Sequence, residues 1–210
     1  LELVAVMDRL RSPGGCPWDA EQTHASLLQY LIEECYETVE AVETGDRDHL
    51  VEELGDLLLQ VVFHARIGQE RPTDPFDIDD VAAGIVTKLR NRHPHVFGDV
   101  TVADMEALET NWEAAKAAEK GRSSAMDGIP PGLPALALAA KTQARAARLS
   151  AGLPVAPAAL AEDADLGEAL FALVATARAR GLDPEAELRA ATRRYAAAVR
   201  AAEGGSSTPA

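Results

Sequence analysis

The chain has 210 residues, enough for one substantial domain or two small ones, and 47% of them are hydrophobic, so a core can be buried. Its 34 acidic and 20 basic residues give a formal charge of -14, and Arg145, Arg148, Arg189, Arg193 and Arg194 are scattered among alanines; with no basic stripe, nucleic acid and anionic membrane are excluded as partners. No apolar run approaches ~18 residues, no leader-like stretch is present, and Cys16 and Cys35 form no C-x-x-C, so a reducing, cytoplasmic setting is expected.

Residues 2–11 place Leu3, Val6, Met7 and Leu10 at helical spacing and predict a short helix, stopped by Ser12-Pro13-Gly14-Gly15. Cys16-Pro17-Trp18-Asp19 follows as a loop, in which Trp18 reads either as a hydrophobic staple on the next helix or as a ring that stacks on a base. Over about 23–42, Leu28, Leu31, Ile32, Cys35, Val39 and Val42 form the stripe of an amphipathic helix, with Glu33, Glu34 and Glu37 on the far side. Gly45 suits the position just beyond its end, and Asp46 can cap the helix that follows. That second helix runs through Leu50, Leu54, Leu57, Leu58, Val61 and Val62 to about Gly68, with Glu52, Glu53 and Asp56 opposite. Val51 and Phe63 widen its apolar arc, so it needs partners on more than one side.

After a loop over 71–75, Asp77 and Asp80 start a helix through Val81, Ile85, Leu89 and Arg92. His93-Pro94-His95-Val96-Phe97-Gly98 is a turn, and its histidines, separated by a proline, cannot share a helix face to bind a metal. Thr101 and Asp104 start another helix, through Met105, Leu108, Trp112 and Lys116 to Gly121. The dense turn signals from Met126 to Pro134 mark a linker. Helices are expected over about 134–149, 158–180 and 184–202. No strand pattern survives, so the fold class is all-α, with a first domain over 1–125, a linker over 126–134, a second helical repeat over 135–203 and a disordered tail over 204–210.

The second repeat is visible as an ungapped match. Glu53-Leu54-Gly55-Asp56-Leu57-Leu58 through Ala65-Arg66 aligns with Asp165-Leu166-Gly167-Glu168-Ala169-Leu170 through Ala177-Arg178. The upstream Glu-Glu-x-x-Glu helix has no counterpart there, so this copy reads as degenerate.

Between Glu21 and Val62 there are eleven Asp or Glu and a single Lys or Arg, Arg47. A solvated helix face would interleave cations at i+4, because like charges at that spacing cost a few tenths of a kcal/mol each. Glu33 with Glu37, Glu34 with Glu37, and Glu53 with Asp56 are such like-charge pairs. A divalent cation offsets their repulsion most simply, and an all-oxygen set favours Mg²⁺ or Mn²⁺ over Zn²⁺. A di-iron bundle needs Glu-x-x-His on two helices; only Glu21-Gln22-Thr23-His24 supplies one. Lys88 and Arg92, i and i+4 on the third long helix, can hold phosphate or simply line a helix face.

These residues together resemble the MazG family of nucleoside triphosphate pyrophosphohydrolases. The resemblance is carried by Gly15-Cys16-Pro17-Trp18-Asp19 with Gln22-Thr23, Glu33-Glu34-Cys35-Tyr36-Glu37, Glu53-Leu54-Gly55-Asp56-Leu57-Leu58, the run from Lys88 to Phe97, Asn111-Trp112-Glu113, and Ile129-Pro130 through Lys141 and Gln143. It implies a helical bundle completed by homodimerisation, and hydrolysis of an NTP or dNTP between the α and β phosphates to a monophosphate and pyrophosphate. It implies Mg²⁺, with Mn²⁺ as substitute, on Glu34, Glu37, Glu53 and Asp56, and Glu33 as base or further ligand. Lys88, Arg92 and Lys116 would hold phosphates and Trp18 the base. The rival expectation is a scaffold of the same shape that binds a nucleotide or a partner without turnover.

Overall fold

The protein's structure, a computed structural model, describes residues 1–99, 112, 124–147 and 165–205. It divides into two compact units, residues 1–115 and 116–210. The described residues of the first form α1 (Glu2–Arg11), α2 (Pro17–Glu21), α3 (Leu28–Thr44), α4 (Arg47–Gln69), α5 (Ile78–Arg92) and α6 (Pro94–Phe97). Those of the second form α7 (Ala135–Ala146), α8 (Leu166–Ala179) and α9 (Pro184–Gly205). Among the described residues there is no strand, as expected of an all-α chain.

The first unit is built on the α3–α4 hairpin. Gly45 adopts φ 74°, a left-handed conformation that glycine enters without steric cost, and its N–H closes α3 on the Ala41 carbonyl. Asp46 then caps α4, its carboxylate accepting from the N–H groups of Asp48 and His49 at 3.0 and 3.1 Å. α1 packs on the far half of α4, where Met7, Leu27, Val62 and Phe63 form the core. At the end of α4 a Cβ on Gly68 would lie 2.6 Å from the Phe76 ring, so this glycine admits the aromatic that turns the chain towards α5. Asp77 and Asp80 complete the capping box expected there.

Arg11 ties the first unit together. Its side chain is 4% exposed and meets Glu70 through two bonds, Nε to Oε1 at 3.1 Å and Nη2 to Oε2 at 2.7 Å. Nη1 donates to the carbonyls of Asp19 and Gln22, and the guanidinium lies 5.5 Å from the centre of the Phe63 ring. Only an arginine has enough forked donors to serve a carboxylate and two carbonyls at once.

Several local expectations are corrected. Cys16-Pro17-Trp18-Asp19 is not wholly loop: Pro17 presets the first turn of α2, and Arg11 donates to the Asp19 and Gln22 carbonyls at its end. Helix α3 begins at Leu28 rather than near Thr23, because Thr23 and Ser26 exchange side-chain to backbone bonds of 2.9 and 3.1 Å that compete with the helical ladder. The turn at 93–98 contains the single helical turn α6, started by Pro94.

The turn at Thr44-Gly45-Asp46 folds α3 and α4 into an antiparallel pair in which their acidic patches can face one another, and Glu34, Glu37 and Glu53 do converge there. On the apolar stripe of α3, Leu28, Ile32 and Val42 are exposed by 52%, 57% and 61%, while Leu31 and Val39 are half-buried, as are Glu34 and Glu37. On α4, Glu53 is 6% exposed while Val51, Leu54, Leu58 and Val61 face out. Glu34, Glu37 and Glu53 therefore meet inside the hairpin, and part of the apolar surface of both helices is left outside.

In the second unit, Gln143 links α7 to α8. Its Nε2 donates to the Phe171 carbonyl at 2.7 Å, and its Oε1 accepts from Arg178 at 3.4 Å. Helix α9 continues to Gly205. The helix expected over 101–121 lies outside the described residues apart from Trp112, as do 148–149, 158–164 and 206–210.

Candidate metal centre

The site forms because α3 and α4 run antiparallel from a short turn, so the first turns of α4 lie beside the later turns of α3. Glu34 and Glu37 from α3 and Glu53 from α4 bring one carboxylate oxygen each within 4.8 Å of one another. Opposite oxygens of a Mg²⁺ octahedron are separated by about 4.2 Å, given metal–oxygen bonds of about 2.1 Å. The cluster is thus on the scale of the coordination sphere it would have to form.

Its electrostatics are those of charges without enough counter-charge. Glu53 Oε1 meets His49 Nε2 at 3.0 Å, one helical turn back, while its Oε2 is buried with no hydrogen-bond partner. Desolvation, then the charge of Glu37, pushes the Glu53 carboxyl above its usual range, against the lowering influence of His49. Desolvation raises Glu34 to about 7, with Asp56, Glu37 and Glu53 adding to it. An orphaned buried oxygen, three converging carboxylates and a carboxyl that holds its proton near neutrality together make an all-oxygen set of the kind that could hold a divalent cation.

Asp56, half-buried one turn beyond Glu53, is close enough to raise Glu34 but stands outside the three-oxygen cluster. Glu33, next to Glu34 in the chain, is exposed and also outside the cluster. Trp18 is 50% exposed on α2 and meets Tyr30 edge to face, with centroids 5.9 Å apart. Tyr30 lies one turn before Glu34 on α3, so the aromatic pair adjoins the acidic end of the hairpin. Lys88 and Arg92 lie on successive turns of α5, a helix separate from the carboxylates. Lys116 lies outside the described residues. His93 Nδ1 donates to the Leu89 carbonyl at 2.7 Å, and its ring centre lies 5.6 Å from that of His95.

Four side chains on this inner face have no place in the sequence-based site: Tyr30, His49, Gln60 and His64. The last two carry a signal, being the only polar residues between Leu57 and Ala65, and they continue the stripe of Glu53 and Asp56 at helical spacing. In the second unit the aligned carboxylates are placed differently. Asp165 is exposed and serves as the cap of α8, accepting from the Glu168 N–H at 3.0 Å, and Glu168 is exposed as well.

Residues 22–97 match the family model for the MazG nucleotide pyrophosphohydrolase domain. The chain is 51% identical over 205 residues to an uncharacterised 26.1 kDa protein of Streptomyces cacaoi, covering 97% of this chain and 82% of that protein. It is 42% identical over 213 residues to the nucleoside triphosphate pyrophosphohydrolase/pyrophosphatase MazG of Thermotoga maritima, covering 92% of this chain and 81% of that one. With the nucleoside triphosphate pyrophosphohydrolase of Mycolicibacterium smegmatis it shares 52% over 157 residues, 73% of this chain and 47% of the relative. No helix among the described residues is long and apolar enough to cross a membrane.

Proposed function

Because the chain belongs to the MazG nucleotide pyrophosphohydrolase family, we propose that it hydrolyses nucleoside triphosphates between the α and β phosphates, giving a monophosphate and pyrophosphate as part of nucleotide housekeeping. The observation that carries this reading is the meeting of Glu34, Glu37 and Glu53 inside the hairpin, with one oxygen of Glu53 left without a partner. Glu34, Glu37, Glu53 and Asp56 would hold Mg²⁺, or Mn²⁺ in its place, and the bound ion supplies charge neutralisation at the phosphates and a more acidic water. Glu33, exposed next to this set, orients the attacking water or takes its proton. Lys88 and Arg92, on one side of α5, hold phosphate oxygens, with Lys116 assisting, and place the α phosphorus in line for attack. Trp18, backed by Tyr30, stacks on the base.

The test is product analysis with dATP and Mg²⁺. Orthophosphate should appear only when inorganic pyrophosphatase is added, two equivalents for each dAMP formed. Intact nucleotide, or orthophosphate without the coupling enzyme, would overturn the reading.

The same reading includes a homodimer. Leu28, Ile32, Tyr36 and Val42 on α3, with Val51, Leu54, Leu58 and Val61 on α4, leave a large apolar surface on the hairpin that a second copy would cover. Sedimentation equilibrium at micromolar concentration should give twice the mass of 22.2 kDa. A folded monomer there would contradict it.

A further inference from the structure

The polar stripe that carries the carboxylates continues along α4 to a second pair of titratable groups. His24, in the segment between α2 and α3, and His64, on α4, approach with their Nδ1 atoms 2.8 Å apart and their ring planes 4° from parallel. The ring centres are 5.1 Å apart, which matches the nitrogen–nitrogen separation plus the centre-to-nitrogen distance of each ring. The two nitrogens therefore point at one another in line, in one plane. A metal between them would need a wider gap, up to about 4 Å for bonds of about 2.0–2.1 Å, so this is a shared proton and not a ligand pair.

One ring must donate and the other accept. His64 Nε2 is buried without a partner. If His64 accepted, its proton would sit on that nitrogen as an orphaned N–H; if it donates through Nδ1, Nε2 is a bare lone pair and the exposed His24 carries its proton to solvent. The second arrangement costs less. A further proton on His64 Nε2 would keep the contact but bury a charge without a partner, whereas a proton on Nδ1 of the exposed His24 faces solvent and removes the acceptor; the latter costs less, and it breaks the contact. Burial, then the neighbouring His24 ring, accordingly holds His64 below the usual histidine range.

We propose that His24 and His64 are positioning residues, a proton-dependent clasp that holds the segment carrying Trp18 beside the carboxylate site. The proposal rests on the nucleotide-binding reading given above. The segment can transmit such a restraint because it is bonded within itself: Gln22 Nε2 donates to the Trp18 carbonyl at 2.9 Å, and Ser26 Oγ donates to Gln22 Oε1 at 2.7 Å. Arg11 fixes its α2 end and the histidine pair fixes the other. An apolar pair would fill the same space without leaving a buried nitrogen unsatisfied, so packing alone does not account for two histidines.

The charged groups around the pair offer it no counter-charge. Arg11 and Glu70 neutralise each other, Arg66 is bound to Asp8 and Glu70, and Arg71 lies 5.9 Å from the Phe76 ring that stacks on His24. Glu21, on α2, is exposed.

The experiment compares the wild type with the double variant His24→Phe/His64→Phe from pH 5.5 to 8, measuring KM for dATP at saturating Mg²⁺. At pH 8, with the clasp closed, the wild type should show the lower KM, because the double variant has no hydrogen bond to hold the segment. Below the pair's titration the wild-type KM should rise by up to about tenfold per pH unit more than that of the double variant, as the fraction with a closed clasp falls. Titration of Glu34 is common to both proteins and cancels in the comparison. In parallel, Trp18 emission in a Trp112→Phe background should change with pH only when both histidines are present, which needs neither turnover nor nucleotide. Superimposed KM profiles, or Trp18 emission that ignores the histidines, would overturn the clasp. Absence of turnover in the wild type at every pH would instead overturn the proposed function, and the emission would still decide the clasp.

Discussion

Glu37→Gln and Asp56→Asn should each lower Mg²⁺-dependent pyrophosphate release by at least about 10²–10³-fold, the range found when one preorganised electrostatic group is lost from an active site. Both are near-isosteric and remove one negative charge. Neither residue belongs to the apolar core of Met7, Leu27, Val62 and Phe63, so helicity by circular dichroism should not change. The sign of the stability change separates a site from a mere acidic patch. Glu37 and Asp56 both add to the repulsion that raises Glu34, so in the absence of a divalent cation each variant should be at least as stable as the wild type. Loss of activity with retained or increased thermal stability is the signature of a constellation kept for chemistry. Full activity in either variant would remove the residue from the site.

The hairpin is legible in the sequence because its signals are local. Gly45 and Asp46 mark the end of one helix and the start of the next by backbone conformation and side-chain capping, and both act as expected. The acidic cluster is legible through charge: like-charged neighbours at helical spacing without interleaved lysine or arginine are costly unless something offsets them. How much of each apolar stripe one copy covers is not legible. Periodicity reports that Ile32 and Glu34 lie on different sides of α3, and the usual rule buries the apolar side. Within one copy the hairpin keeps Glu34, Glu37 and Glu53 between its helices and leaves Ile32 outside, and periodicity does not say what lies against that outer stripe. Periodicity misplaces the start of α3 for a smaller reason, since the Thr23 and Ser26 side chains satisfy backbone groups that a helix would otherwise need. His24 and His64, 40 positions apart, meet only through the tertiary fold, and a single chain carries no signal for that pairing.

The second large effect is a coupling between protons and the cation. Glu34 is held at about 7, well above its ordinary 4.5, by burial and its acidic neighbours. A carboxyl whose folded value is raised contributes stability that is full below the unfolded value and is lost as pH rises through the folded one. The metal-free protein should therefore lose stability between pH 4.5 and about 7, and a divalent cation should restore it most strongly above 7.

Calorimetric titration of Mg²⁺ into metal-free protein at pH 6 and pH 8, in buffers of different ionisation enthalpy, tests the carboxylate centre most directly. Apparent affinity should be about tenfold higher at pH 8, with about one proton released per ion at pH 6 and little at pH 8, and Glu53→Gln should abolish the binding heat. Affinity that is independent of pH with no proton release, or binding that survives in Glu53→Gln, would contradict a cation centre at Glu34, Glu37 and Glu53.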